Sequence, residues 1–147
     1  MDYTTPRTHE DLLTIVYMPS IRCQSWPDLL RFLAGIEGLA PLHAFAKQVA
    51  DSRFAGGLFA YTSMRTVALA RTRDIQDGQE RLMVTYEPKH DRIHMAFTDW
   101  GAWDVDGPRP GIRGKDSWVR DYAPREAWPA FQKFLRRVGW FPDADRA

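Results

Sequence analysis

Near Gly56-Gly57 the hydrophobic pattern of this chain switches from a helical period to simple alternation, and the alternating runs that follow are separated by short breaks. Residues 58–63, 66–72, 81–87 and 92–98 read as strands, bounded by turn chemistry that includes Asp77-Gly78 and the stretch from Pro88 to Asp91. Breaks this short join antiparallel neighbours, because a parallel return needs a crossover of a dozen residues or more. The spacing therefore predicts a meander. Leu82, Val84 and Tyr86 share one face, and so do Ile93, Met95 and Phe97. Phe59, Tyr61, Val67 and Leu69 are expected to join them. The opposite face would carry Ala60, Thr62, Ala68, Ala70, Met83, Thr85, His94, Ala96 and Thr98, a small-residue surface that can accept a helix, a loop or a ligand.

Ahead of the strands, Ser25-Trp26-Pro27-Asp28 combines a capping serine, an early proline and an acidic first turn. Trp26, Leu29, Leu30, Leu33 and Ile36 then recur at helical spacing, and Gly38 is a stop signal. A second helix is expected from Pro41 to about Ser52, with Leu42, Phe45, Ala46 and Val49 facing inward. The short link predicts an antiparallel helical hairpin. A last helix is expected over 128–138, with Ala127, Phe131, Phe134, Leu135 and Val138 as its inner stripe and Gly139 as its stop. Trp26-Pro27 and Trp128-Pro129 head similar short patterns, which we read as shared capping rather than as a repeat. Thr8 to Asp11 resembles a helix start, but the apolar run 12–18 fits a short helix and a strand equally.

At 147 residues the chain fits one domain, with 1–7 and 143–147 as loose ends. A net charge of +1 gives no long-range attraction for nucleic acid or an anionic membrane. Cys23 is the single cysteine, so a reducing compartment is expected. The opening residues lack the basic and apolar segments of a signal peptide, and no apolar run reaches membrane-spanning length. The expected location is the cytoplasm.

The stretch 99–122 stands apart, because a long segment without periodicity inside a domain is often functional. Asp99, Asp104 and Asp106 cluster after a strand end and, with His94, are the candidates for acid–base or divalent-metal chemistry. Asp104-Val105-Asp106-Gly107 lacks the further oxygen ligands and closing glutamate of a calcium loop, and aspartates in such a loop commonly cap turns or pair with arginines. His90 and His94 are four apart, roughly 13 Å on an extended strand, too far to share a metal without a bend. Gly107 to Lys115 offers glycines and cations for phosphate but has neither a Walker nor a dinucleotide pattern. Cys23 lacks a local nucleophile motif and would meet His43 only through tertiary packing. Trp100, Trp103 and Trp118 with Arg109, Arg113 and Lys115 form a set typical of protein interfaces, and the tryptophans are equally suited to covering the open sheet face.

The sequence thus predicts an α+β domain: an N-terminal helical hairpin, a four- or five-stranded antiparallel meander with 117–122 as the fifth strand, a long Trp-rich loop, and a C-terminal helix on one sheet face. The expected function is non-catalytic binding through Trp100, Trp103, Arg109, Arg113, Lys115 and Trp118, with a protein partner or a second copy of the chain. No cofactor, metal, membrane or nucleic-acid partner is expected. The alternative is a small enzyme using Asp99, Asp104 or Asp106 with His94, with or without a divalent metal.

Overall fold

A computed structural model describes residues 21–75, 80–98 and 118–144. The run 12–18, the turn at Asp77-Gly78, and Asp99, Trp100, Trp103, Asp104, Asp106, Arg109, Arg113 and Lys115 lie outside them.

Helix α1 (Trp26–Ala34) starts as its sequence dictates: the Ser25 hydroxyl accepts from the Asp28 N–H at 3.2 Å, with Pro27 in the first turn. It ends at Ala34, and Gly38 (φ 84°) reverses the chain after one further turn. Helix α2 (Ala40–Ala50) buries Leu42, Phe45, Ala46 and Val49, the four residues its period selected. A short 3-10 turn (Ala55–Gly57) leads into the sheet.

The strands β2 (Phe59–Ser63), β3 (Thr66–Ala70), β5 (Arg81–Glu87), β6 (Arg92–Thr98) and β7 (Trp118–Tyr122) form one antiparallel sheet in the order β2-β3-β5-β6-β7. The expected meander with a fifth strand is therefore present. Two pairs of residues, β1 (Ile21–Arg22) and β4 (Asp74–Ile75), make a separate small ribbon that carries too few residues to show a period. Among the described residues no helix is long and apolar enough to cross a membrane.

The three described helices lie on one sheet face, and among the described residues the opposite face is helix-free. The covered face carries Ala60, Val67, Leu69, Leu82, Val84 and Met95, with Ile93 and Phe97 beside them, all at 1% exposure or less. β2 sits one residue out of phase with the sequence reading. Ser63 pairs with Thr66 across the tight turn, which forces Ala60 opposite Leu69 and Thr62 opposite Val67. Tyr61 therefore points to the helix-free face, where it packs with Ala68, Ala70 and Ile75. Its hydroxyl accepts from Arg81 at 2.9 Å. The expected placement of Phe59 and Tyr61 with the core, and of Ala60 and Thr62 opposite it, is corrected accordingly.

Helix α3 (Pro124–Arg137) begins four residues before the expected start at 128. Ala123 is its extended N-cap, Pro124 takes the first position, and Pro129 lies inside the helix. The likeness between Trp26-Pro27 and Trp128-Pro129 is thus not a likeness of position: one proline lies in the first turn of its helix and the other lies within a continuous helix. Phe134 joins the helix to the sheet, with ring centroids 5.1 Å from Phe97, 5.5 Å from Trp118 and 5.4 Å from Trp140. Beyond Gly139, the Trp140 Nε1–H donates to Glu80 at 2.8 Å. Ala144 is buried and Asp143 pairs with Arg53, so these two residues of the expected loose end are held down.

Candidate functional site

Of the segment singled out in the sequence, residues 118–122 are described, and they form β7 at one edge of the sheet. Register fixes their directions. Trp118 lies opposite Phe97 and Tyr122 opposite Ile93, so both face the helix side. Trp118 is half-buried, held between the Phe134 ring and the Arg137 guanidinium, which sits 4.7 Å from its ring centroid. Its Nε1–H is buried and has no hydrogen-bond partner among the described residues. A buried indole N–H usually finds an acceptor.

Trp118 and Tyr122 form one wall of a groove of about 880 Å³ along α3. The other wall is a ridge of α3 at four-residue spacing: Arg125, Pro129, Lys133 and Arg137. Among the described residues, no carboxylate is within ion-pair distance of Arg125, Lys133 or Arg137, although Glu126 also lines the groove. Pro129 has no N–H to give the Arg125 carbonyl four residues back. The groove thus combines cations, two aromatic rings, an unpartnered donor and a carbonyl deprived of its helical donor. Arg125, Lys133 and Arg137 were not singled out in the sequence, yet their spacing along one helix ridge was readable there.

The helix-free face holds a different chemistry. One row of directly opposed residues crosses the sheet: Ser63, Thr66, Thr85, His94 and Asp121. Thr66 and Thr85 share a hydroxyl hydrogen bond of 3.0 Å. His94 Nδ1 lies 2.5 Å from Asp121 Oδ1, and the two side chains are 42% and 62% exposed. An ionised carboxylate only accepts, so Nδ1 carries a proton and the neutral ring presents a lone pair at Nε2. His94 therefore does have a carboxylate partner, but it is Asp121. The three aspartates proposed for it lie outside the described residues.

One row along, Glu87 faces Arg92. The Glu87 carboxylate is engaged elsewhere: it accepts from the Lys89 N–H at 3.1 Å, the His90 N–H at 2.8 Å and His90 Nδ1 at 2.8 Å. Desolvation pushes its carboxyl pKa up, but the backbone and ring hydrogen bonds of His90 outweigh that and hold it below the usual range. Thr85, Glu87, His90, Arg92, His94 and Asp121 line one depression of about 590 Å³. The turn at 88–91 brings His90 to the same depression as His94. Among the described residues no three His, Cys, Asp or Glu side chains gather as a metal-holding group.

Cys23 packs beside Tyr61, Ala68, Ala70 and Ile75 on the helix-free face, whereas His43 belongs to α2 on the other side. Burial pushes the thiol up to about 11, with Asp74 adding to the shift and Arg81 opposing it. That environment suits a structural thiol rather than a nucleophile. Comparison with known proteins gives no match to a family model, to a curated protein or to a solved structure.

Proposed function

We propose that the protein is a binding protein whose partner is an acidic, extended segment of another protein, seated in the groove between β7 and α3. The observation that carries this reading is the buried Trp118 Nε1–H, without an acceptor among the described residues, in a groove rimmed by Arg125, Lys133 and Arg137. A peptide supplies what the groove lacks. Its carbonyls accept from an indole, its N–H groups donate to a carbonyl such as that of Arg125, and its carboxylates meet the cations. β7 ends the sheet, so its outer edge pairs with no further strand among the described residues, an arrangement that suits strand addition. Tryptophan and arginine are also the residues that dominate interface energetics. A single cysteine is in keeping with the proposed cytoplasmic location.

The test uses fluorescein-labelled decapeptides of alternating Glu and Val or alternating Lys and Val. Fluorescence anisotropy should show binding of the acidic peptide only, weakened by salt. Lys133→Glu with Arg137→Glu should reduce it by about tenfold, since two attractions become repulsions, each change worth roughly 0.5–1 kcal/mol. Absence of binding to the acidic peptide, or equal binding by the charge-reversed variant, would overturn the proposal.

A further inference from the structure

We propose that the helix-free face carries a second site, independent of the groove, that cleaves single-stranded RNA by acid–base transfer through the ribose 2′-hydroxyl. The reacting groups are His94, His90 and Arg92, with Asp121 and Glu87 as positioning residues. Each imidazole is oriented through Nδ1 by a carboxylate, His94 by Asp121 at 2.5 Å and His90 by Glu87 at 2.8 Å. That leaves both Nε2 atoms for proton transfer. Arg92 lies between the two histidines in the chain and on the same sheet face as His94, about 7 Å from it along the strand. No carboxylate among the described residues forms an ion pair with Arg92, because its cross-strand neighbour Glu87 is taken up by His90 and the turn backbone. The depression therefore presents a base, an acid and an unneutralised cation together.

The geometry argues against the other reaction such a row suggests. Thr85 stands opposite His94, which stands opposite Asp121, in the order of an acyl-transfer triad. That chemistry needs preorganised donors, most often backbone N–H groups, aimed at a developing oxyanion. β6 lies between two partner strands, so its N–H groups are consumed by the ladders. The Thr85 hydroxyl is already bonded to Thr66. A phosphodiester needs no such hole, because its own oxygens project outward to a guanidinium. It also needs no protein nucleophile when the substrate is RNA, which brings its 2′-hydroxyl. With His94 42% exposed, the site is shallow enough for a polymer strand to lie across it.

The step balances without a co-reactant. His94 Nε2 takes the 2′-hydroxyl proton, the 2′-oxygen forms a bond to phosphorus, and the bond from phosphorus to the 5′-oxygen breaks as protonated His90 gives that oxygen a proton. The products are a 2′,3′-cyclic phosphate and a 5′-hydroxyl. Arg92 neutralises the charge that builds on the phosphoryl oxygens. Because the site grips about one phosphate, binding should be weak, and the logarithm of affinity should fall with that of salt at a slope near −0.7.

The experiment compares the wild-type protein with His94→Ala, His90→Ala and Arg92→Ala, purified identically. The substrates are a fluorophore–quencher RNA dodecamer and its all-deoxy counterpart. Wild-type protein should cleave the RNA only and leave 2′,3′-cyclic phosphate ends visible by mass spectrometry. His94→Ala should slow cleavage about 10²- to 10⁴-fold, and added imidazole should restore part of the rate. Asp121→Asn should lower kcat with little change in KM, and Asp121→Glu should recover part of the loss. The side chains of His90 and Asp121 are more than half exposed and that of His94 is 42% exposed, so melting curves should change little. No RNA cleavage by the wild-type protein, equal cleavage by His94→Ala, or equal cleavage of the deoxy strand would overturn the proposal.

Discussion

Truncating Phe134 to alanine tests how the fold supports the groove. The ring is 2% exposed and sits at the meeting point of Phe97, Trp118, Phe131 and Trp140, at centroid distances of 5.1, 5.5, 6.2 and 5.4 Å. Removing a buried phenyl costs about 3–5 kcal/mol in transfer and cavity terms. Each edge-on or offset aromatic pair contributes about 0.5–1.5 kcal/mol beyond area burial, which places Phe134→Ala in the upper half of that range. A domain of this size loses about 3 °C of Tm per kcal/mol, so the midpoint should fall by roughly 10 °C or more. Urea unfolding followed by tryptophan fluorescence, together with calorimetry, reads both quantities. Val119→Ala is the control. Val119 is 48% exposed on the opposite face and should cost less than about 0.5 kcal/mol. Phe134→Leu keeps most of the volume and should cost far less than alanine, yet it frees Trp118 on one side and so should weaken the acidic peptide. If Phe134→Ala costs no more than Val119→Ala, the placement of α3 over β6 and β7 is wrong.

Three further outcomes follow from local geometry. Gly57→Ala should destabilise by about 1–3 kcal/mol in urea unfolding, because the added Cβ would lie 2.9 Å from Phe141 Cζ. Ser25→Ala should cost about 1 kcal/mol through loss of the α1 cap, measured by the same assay. The Cys23 thiol, held up at about 11, should react with iodoacetamide far more slowly at pH 8.5 than in urea; an equal rate refutes its shielding. Its stability contribution is fully present below the unfolded thiol pKa and is lost as pH rises through about 9 to 11, because only the unfolded state ionises first.

The elements and their order were largely legible, because alternation in 81–87 and 92–98 and the capping signals at Ser25 and Gly139 are local properties. The phase of β2 was not. Phe59 and Tyr61 look like core residues by size, but the Ser63–Thr66 pairing decides their face, and one residue of slip inverts it. The start of α3 was hidden because Pro129 looks like a helix opener while Pro124 is the actual one. His94 was singled out, but its partner Asp121 depends on the β6–β7 register, which nineteen intervening residues leave free in the sequence. Val119 and Asp121 do alternate with Trp118 and Arg120, so the face of Asp121 was readable even though its neighbour was not.

The sheet order follows chain order, each strand of the five pairing with the one before it among those that form the sheet. During synthesis the hairpins can therefore close one after another as they leave the ribosome. The helix that covers the last of them does not. Phe97 and Trp118 face α3, whose Phe134 and the following Trp140 are made only after the sheet is complete. Until roughly residue 140 has emerged, that corner of the sheet presents its aromatic side chains to water. A nascent chain paused there would be the form most exposed to aggregation and most in need of a chaperone.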